Sequence, residues 1–344
     1  MQFFQVVLIQ TGSWVTALHL GKVISLAKSL ISERLAADGV ESGIHWTVNM
    51  AAPVEHFEDS AVLSAFERVL KTGYEMSTVF DEQQGPRDLE DLLELYRDAR
   101  HLASKRTSDC FIVPEVLAEV ASFYQSGEAT DGLYVLIDVG AGTLDASFFR
   151  LFFAPDGTLV SFYAAAVLKA GAAHLECVAS RQLAERATGF FRGVKEGQRP
   201  ADAAAVSSSD TTLFLERASQ WLQREVEKGV RKVSAEAREK ERNHDEWRQL
   251  TLLVGGGGSV IPLYADGSKA GVALLAPDAK LVALPAPKDL KISSLPSSAF
   301  HRLAGAYGLS FNVVDQDFNL PSQVSDDEPP RFRGVGDNPT PDVG

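Results

Sequence analysis

Cysteine is nearly absent: the 344 residues contain two, Cys110 and Cys177, without ligand or framework spacing. That excludes a disulfide scaffold and a thiolate metal centre, and it fits buried thiols in a reducing compartment. Clustered basic charge is missing as well. Lys+Arg total 33 against Asp+Glu 46, a net charge of −13, and no basic run is interleaved with aromatics. The surface that neutralises nucleic-acid phosphates is therefore lacking, and no nucleic-acid partner is expected. The N-terminal apolar run stops well short of a membrane span. Residues 1–9 are apolar but have no charged leader region, and 10–13 interrupt them, so they read as a strand or loop and a cytoplasmic protein without a membrane partner is expected. No GK[ST] occurs, and the third glycine of GxGxxG is replaced by Asp145, so neither a P-loop nor a complete dinucleotide fingerprint is present. The histidines lack metal spacing.

Two glycine-rich segments dominate what is there. Residues 137–145 read Ile-Asp-Val-Gly-Ala-Gly-Thr-Leu-Asp, and 253–262 read Leu-Val-Gly-Gly-Gly-Gly-Ser-Val-Ile-Pro. The first follows a wholly apolar run, 133–137, the pattern of a buried strand that delivers a turn to a sheet edge. A dinucleotide or P-loop motif would open a helix next. Here 146–153 is aromatic and strand-like, Pro155-Asp156-Gly157 signals a turn, and 158–168 is strand-like again. The pattern predicts a strand, a glycine loop and a hairpin. Glycines in such a loop let backbone N–H groups approach phosphate oxygens, which a Cβ obstructs. Together the segments suggest a nucleotide held between two lobes.

At these residues the chain resembles the actin-like ATPase superfamily, most closely the nucleotide-binding domain of heat-shock-seventy chaperones and their bacterial relatives. Residues 137–147 are similar to that family's second phosphate loop and 254–264 to its adenosine loop. Residues 114–120 resemble the connecting helix that carries a catalytic glutamate, and 301–309 the closing helix. Residues 46–53 followed by 61–70 have the family's order of strand, proline loop and helix. The resemblance spans roughly residues 18–311. It implies an α/β, actin-like (ribonuclease H-like) fold of two lobes flanking a cleft, with ATP and Mg²⁺ as ligands. The family's first phosphate hairpin has no counterpart in residues 1–45, so the first lobe is expected to be incomplete at its N-terminus, as in a truncated or misassigned start. The expected divisions are 1–168 for the first lobe, 169–321 for the second, and 322–344 for a disordered, acidic, proline-rich tail.

The resemblance also implies roles. Glu115 would orient attacking water, although a carboxylate after Pro114 is favoured at a helix N-terminus in any case. Asp138, costly to ionise at the end of a buried strand unless it meets water, a donor or a metal, would serve catalysis by holding water around Mg²⁺. Gly140, Ala141, Gly142 and Thr143 would cradle phosphate. Asp145 matches the motif's second aspartate, or else satisfies loop N–H groups. Gly171 is carried over from a glycine turn. Gly255, Gly256, Gly257 and Gly258 would wrap purine and ribose, with Val260 where the family has an adenine-stacking arginine. Glu227 and Arg231 match a ribose and adenine helix, or form an ordinary exposed ion pair.

The remaining pattern predicts helices over 18–36, 61–70, 88–103 and 210–241. Asp59 and Ser60 place an acid and a cap ahead of the second, and the first is expected beneath a strand over 44–50. A helix to about 188 and a flexible insertion over 189–209 follow Gly171. The two glycine loops are expected to face each other, and the strand 133–137 to lie at or near an exposed sheet edge. The function implied is an ATP-binding, chaperone-like protein whose lobe closure is coupled to a protein partner, and an ATPase if an N-terminal phosphate loop is supplied. The alternative is a non-catalytic actin-fold scaffold or interaction module.

Overall fold

The computed structural model describes residues 2–40, 43–80, 88–106, 109–125, 127–154, 157–175, 209–287, 290, 297–311 and 317–324. The expected helix over 176–188, most of the insertion, Cys177 and the tail from 325 lie outside them. The chain forms two compact units, residues 1–52 with 59–113, and residues 53–58 with 114–344.

The first unit is built on three helices, α1 (Gln2–Ala37), α2 (Ser60–Ser77) and α3 (Leu89–Ala103), packed around Ala17, Met76, Phe80 and Ala99. Asp59 caps α2 by accepting from the N–H groups of Ala61 and Val62, and Asp88 caps α3 through Glu90 and Asp91. α2 covers a two-stranded sheet of β1 (Val48–Ala52) and β2 (Cys110–Pro114) through Leu70, Tyr74 and Cys110. Two expectations change. Residues 2–9 are not a strand or loop but the start of α1, because the polar residues 10–13 interrupt hydropathy without breaking a helix. The window Ser13–Ala37 is long and apolar enough, by length and composition, to cross a membrane, and 22% of it is buried. The helix covering the strand is α2, with α1 packed on α2 and the strand shifted to Val48–Ala52.

The second unit is a six-stranded sheet in the order β7-β6-β3-β4-β5-β8. β3 (Gly132–Val139), β4 (Leu144–Ala154) and β5 (Gly157–Leu168) form the predicted antiparallel run. β6 (Thr251–Gly255) lies parallel to β3, β7 (Lys280–Ala283) parallel to β6, and β8 (Asp317–Asn319) parallel to β5. β3, β5 and β6 therefore end at one side of the sheet. On one face, Leu133, Val135, Ile137 and Val139 alternate inward against α5 (Ser209–Lys240) and α7 (Pro262–Val272). The short α6 (His244–Arg248) adds Trp247, 1% exposed, beside Phe148. On the other face Tyr134 stacks on Phe149 and meets Phe123 of α4 (Glu115–Gln125) edge-on. α8 (Ala304–Leu309) packs on α4, with Gly308 against the Ala118 backbone.

This topology corrects three expectations. The strand 133–137 is not an edge, since β4 and β6 pair with it on both sides. The chain does not divide at residue 168, because β6 joins the hairpin in one sheet; the division lies at 113. The glycine loops do not face each other across a cleft but leave adjacent parallel strands side by side.

An ion network ties the hairpin to the helical layer. Arg150 of β4 donates to Glu241 Oε2 at 2.9 Å and to Glu246 Oε1 at 2.8 Å, and the Tyr163 hydroxyl donates to Glu241 at 3.4 Å. Removing the guanidinium leaves Glu241, 7% exposed, without its cation. Arg150→Ala is expected to destabilise the chain by about 1.5–3 kcal/mol, read by urea denaturation. A change within experimental error would show that the network contributes nothing net.

Candidate functional site

Asp138 is the penultimate residue of β3, in register with Asp145 at the start of β4 and with Gly255 at the end of β6. Residues opposite each other in an antiparallel pair share a face, so both aspartates project to the α4 side, as Leu136 and Ser147 do. β2 runs directly into α4, whose first residue is Glu115, and the buried stripe Val116, Leu117, Val120 fixes that helix on the sheet. Carboxylate oxygens of Glu115, Asp138 and Asp145 all lie within 4.8 Å of one another. Around them is a cavity of about 10 Å³, bordered also by Glu55, Pro53 and Val167. That volume admits about one water-sized sphere. Glu55 is held there because its Oε2 accepts from the Val167 N–H at 2.8 Å.

Crowding like charges in a poorly hydrated corner raises their proton affinity. Burial, then the charges of Asp138 and Asp145, pushes Glu115 up to about 7. Burial pushes Asp138 up to about 6. Asp145 rises to about 7 through burial, Asp138 and Glu55, against an opposing hydrogen bond from Thr143. Glu119, one turn beyond Glu115 on α4 and 4% exposed, is raised well above the ordinary range by burial and by Asp138. Sequence reasoning missed Glu119 and Glu55. The i, i+4 spacing of Glu119 from Glu115 was the available signal for the first; Glu55 is brought in by a backbone contact with no local signature.

The backbone locks this corner. Gly140 N–H donates to Thr143 O at 3.0 Å, closing the first loop, and the carbonyls of Gly142, Gly140 and Ala141 accept from Gly171, Ala172 and Ala173 at 3.3, 3.0 and 2.7 Å. With the carbonyls so engaged, the N–H groups of Ala141 and Gly142 have no acceptor among the described residues, and both residues are exposed. The second loop joins the first directly, Gly258 N–H donating to Val139 O at 2.8 Å. Gly256 is left-handed at φ +79°, and a Cβ there would stand 2.0 Å from Asp138 Oδ1.

The glycines thus fall into two groups. At Gly171 and Gly256 a Cβ would meet Ala141 O at 2.4 Å and Asp138 Oδ1 at 2.0 Å, with further backbone atoms within 2.6 Å, so close packing requires glycine; at Gly255 and Gly258 it would displace the side-chain ends of Leu284 and Val139, at 2.8 and 2.5 Å. Nothing lies within 4 Å of the corresponding point at Gly142 or Gly257, which packing leaves open. Glu227 and Arg231 are not brought to these loops. They form an ion pair with each other on α5, and the Glu227 carbonyl lies against Gly271, nine residues past Pro262 and about 14 Å down α7 at ~1.5 Å per residue. They match the exposed-pair reading.

No protein-family model matches the sequence, and no curated protein matches it. Among solved structures the chain is similar to a non-polymerisable quadruple mutant of pCBH ParM (16% identity, 76% of this chain and 66% of that one, TM-score 0.42). It is also similar to the PilM–PilN type IV pilus biogenesis complex (15%, 66% and 59%, TM-score 0.38) and to an archaeal actin homolog in complex with ADP (17%, 80% and 75%, TM-score 0.39). The chain covers less than two thirds of the length of the first two. The fold is α/β, and similarity at this level fixes no residue's role.

The raised carboxyls have a pH consequence. The folded chain binds these protons more tightly than the unfolded one, so their stabilisation is full below about pH 4 and is lost as pH rises through about 6 to 7. Asp145→Asn removes one participant. Without divalent cation, its melting temperature is expected to gain on the parent's steadily from pH 5 to pH 8, in paired thermal melts. A gap independent of pH would show that the carboxylates are relaxed by solvent.

Proposed function

We propose that this chain binds an adenine nucleotide with a divalent cation, ATP with Mg²⁺, at the carboxyl end of β3. The observation that carries the reading is the meeting, at one strand end, of three carboxylates within 4.8 Å and the backbone N–H groups of two exposed residues, Ala141 and Gly142, without acceptors among the described residues. The donor set fits a hard cation. All ligands are carboxylate oxygens, and the Oδ1 atoms of Asp138 and Asp145 are buried with no hydrogen-bond partner. When bound, Mg²⁺ supplies positive charge that relieves the carboxylate repulsion and neutralises phosphate oxygens.

The chain's own residues have distinct tasks in this reading. Asp138 and Asp145 would hold the cation, directly or through water. Glu115, at the rim of the cavity, would accept a hydrogen bond from a water and orient it. Ala141 and Gly142 would donate N–H groups to phosphate oxygens, and Gly257 is the open point of the second run, where purine and ribose approach backbone. The sequence resemblance supports the finer step, a cytoplasmic, chaperone-like protein in which nucleotide-driven closure is coupled to a protein partner. One observation favours the scaffold alternative over fast turnover. Among the described residues lining the cavity there is no lysine or arginine, whereas phosphoryl transfer draws much of its acceleration from such groups.

Calorimetric titration with Mg-ADP and Mg-ATP, beside a phosphate-release assay, tests the proposal. Saturable binding that requires Mg²⁺ is expected, with slow or no turnover. Asp138→Asn should weaken it about 10- to 100-fold, the equivalent of ~1.5–3 kcal/mol for a charged contact. Gly142→Val should leave stability within ~0.5 kcal/mol, since the position is open, while obstructing phosphate approach. Absence of binding at millimolar nucleotide, or binding undisturbed by Gly142→Val, would sink the assignment.

A further inference from the structure

A second concave surface of the same unit lies apart from the carboxylates. It is a groove of about 470 Å³ between the end of β5 and the outer side of α5, bordered by Leu168, Lys169, Trp221, Lys228 and Lys232. Leu168 forms part of its wall because Gly229 lets it approach; a Cβ there would lie 2.3 Å from Leu168 Cδ1. The inward stripe of α5 is already complete in Leu222, Val226, Val230 and Val233, all buried. Trp221 is off that stripe, 48% exposed, and stacked on the His174 ring at 5.8 Å and 25°. The core does not require it.

Charge marks the groove further. In a chain of net charge −13, three ammonium groups border one hollow, with Glu225 the acid beside them. Lys232 reaches Glu236 at 3.7 Å, an exposed pair of little strength. Lys169 and Lys228 form no ion pair among the described residues. The surface therefore combines an apolar wall, an available indole face and cationic side chains that the fold leaves unused.

We propose that this groove docks an acidic peptide segment of a protein partner, its carboxylates on Lys169, Lys228 and Lys232 and an aromatic side chain against Trp221 and Leu168. Both halves of the surface are then used, which a bare anion does not do. A polyanion such as nucleic acid would be repelled by the surrounding excess of acids and would find too few cations. Tryptophan is among the residue types enriched at interfaces and their hot spots, and the lysines supply charge complementarity to acids. The inference stands independently of nucleotide binding, since none of its residues borders the carboxylate cavity except Val167.

The test is fluorescence anisotropy on the full chain with a labelled octapeptide of Asp and Glu around one central Phe, against counterparts with Lys for the acids or Ser for Phe. Saturable binding of the acidic peptide is expected, weakened by salt and lost with the lysine counterpart. The double variant Lys169→Glu, Lys228→Glu and the variant Trp221→Ser should each bind ~10-fold or more weakly with unchanged melting temperature. Emission from Trp221 should shift on binding, a change absent from Trp221→Phe. Equal binding of both peptide charges, or indifference to the charge reversals, overturns the proposal. So does single-stranded DNA binding as tightly without need of Trp221. If the peptide binds only once Asp326, Asp327 and Glu328 are replaced by serine in the full chain, the occupant is the chain's own acidic segment and the partner reading falls.

Discussion

Repulsion among carboxylates at the buried end of β3 is the constraint around which the second unit is arranged. Glu115, Glu119, Asp138 and Asp145 are brought together by three separate elements, α4, β3 and β4, and among the described residues lining the cavity there is no lysine or arginine. Left alone, such a group is expensive, because each charge loses hydration and meets others of its own sign. Protonation relieves part of the cost, which is why the carboxyls rise toward neutrality. A packed hydrophobic corner of the same volume would be simpler to stabilise. Carboxyls crowded into a small cavity at a strand end are instead the physical ground for the proposed site.

The backbone around that corner shows how it is kept rigid. A strained arrangement of charges survives only where its surroundings leave no room for it to spread. Here β6 lies parallel to β3, so Gly256 presses on Asp138 and Gly258 bonds to Val139, while residues 171–173 take up the carbonyls of the first loop. Every carbonyl so used leaves a neighbouring N–H turned the other way. Locking the loop and turning the N–H groups of Ala141 and Gly142 away from its partners are consequently one event, a product of packing in the first place.

The local order of elements was legible because it is written in short-range chemistry. Asp59 and Asp88 announce helix starts, the aromatic run 146–153 excludes a helix after the glycine loop, and the stripe through Leu222, Val226 and Val230 declares its buried face. Asp138 and Glu115 were visible as charges at element ends. What could not be read was pairing at long range. Nothing in residues 251–255 says that they lie beside β3 rather than in another lobe, and that one parallel pairing moves the domain boundary and sets the two glycine loops side by side. Residues 2–9 differ for a local reason: their hydropathy suits a strand, yet nothing in them breaks a helix, and they open α1.

Glycine runs invite a ligand reading at every position, and the structure separates two causes that look identical in sequence. At Gly255 and Gly258 a Cβ would displace only side-chain ends, whereas Gly171 and Gly256 are needed because backbone of another chain segment occupies the space of a side chain. They would be glycine whether or not anything bound. Gly142 and Gly257 have open space where a Cβ would stand, so packing gives no reason for glycine there. Gly142 is exposed and Gly257 half-buried, each on one of the two loops beside Asp138. Within the two loops, the glycines that packing leaves open are thus found on both runs beside Asp138, which is the ground for treating loops and carboxylates together in the proposed site.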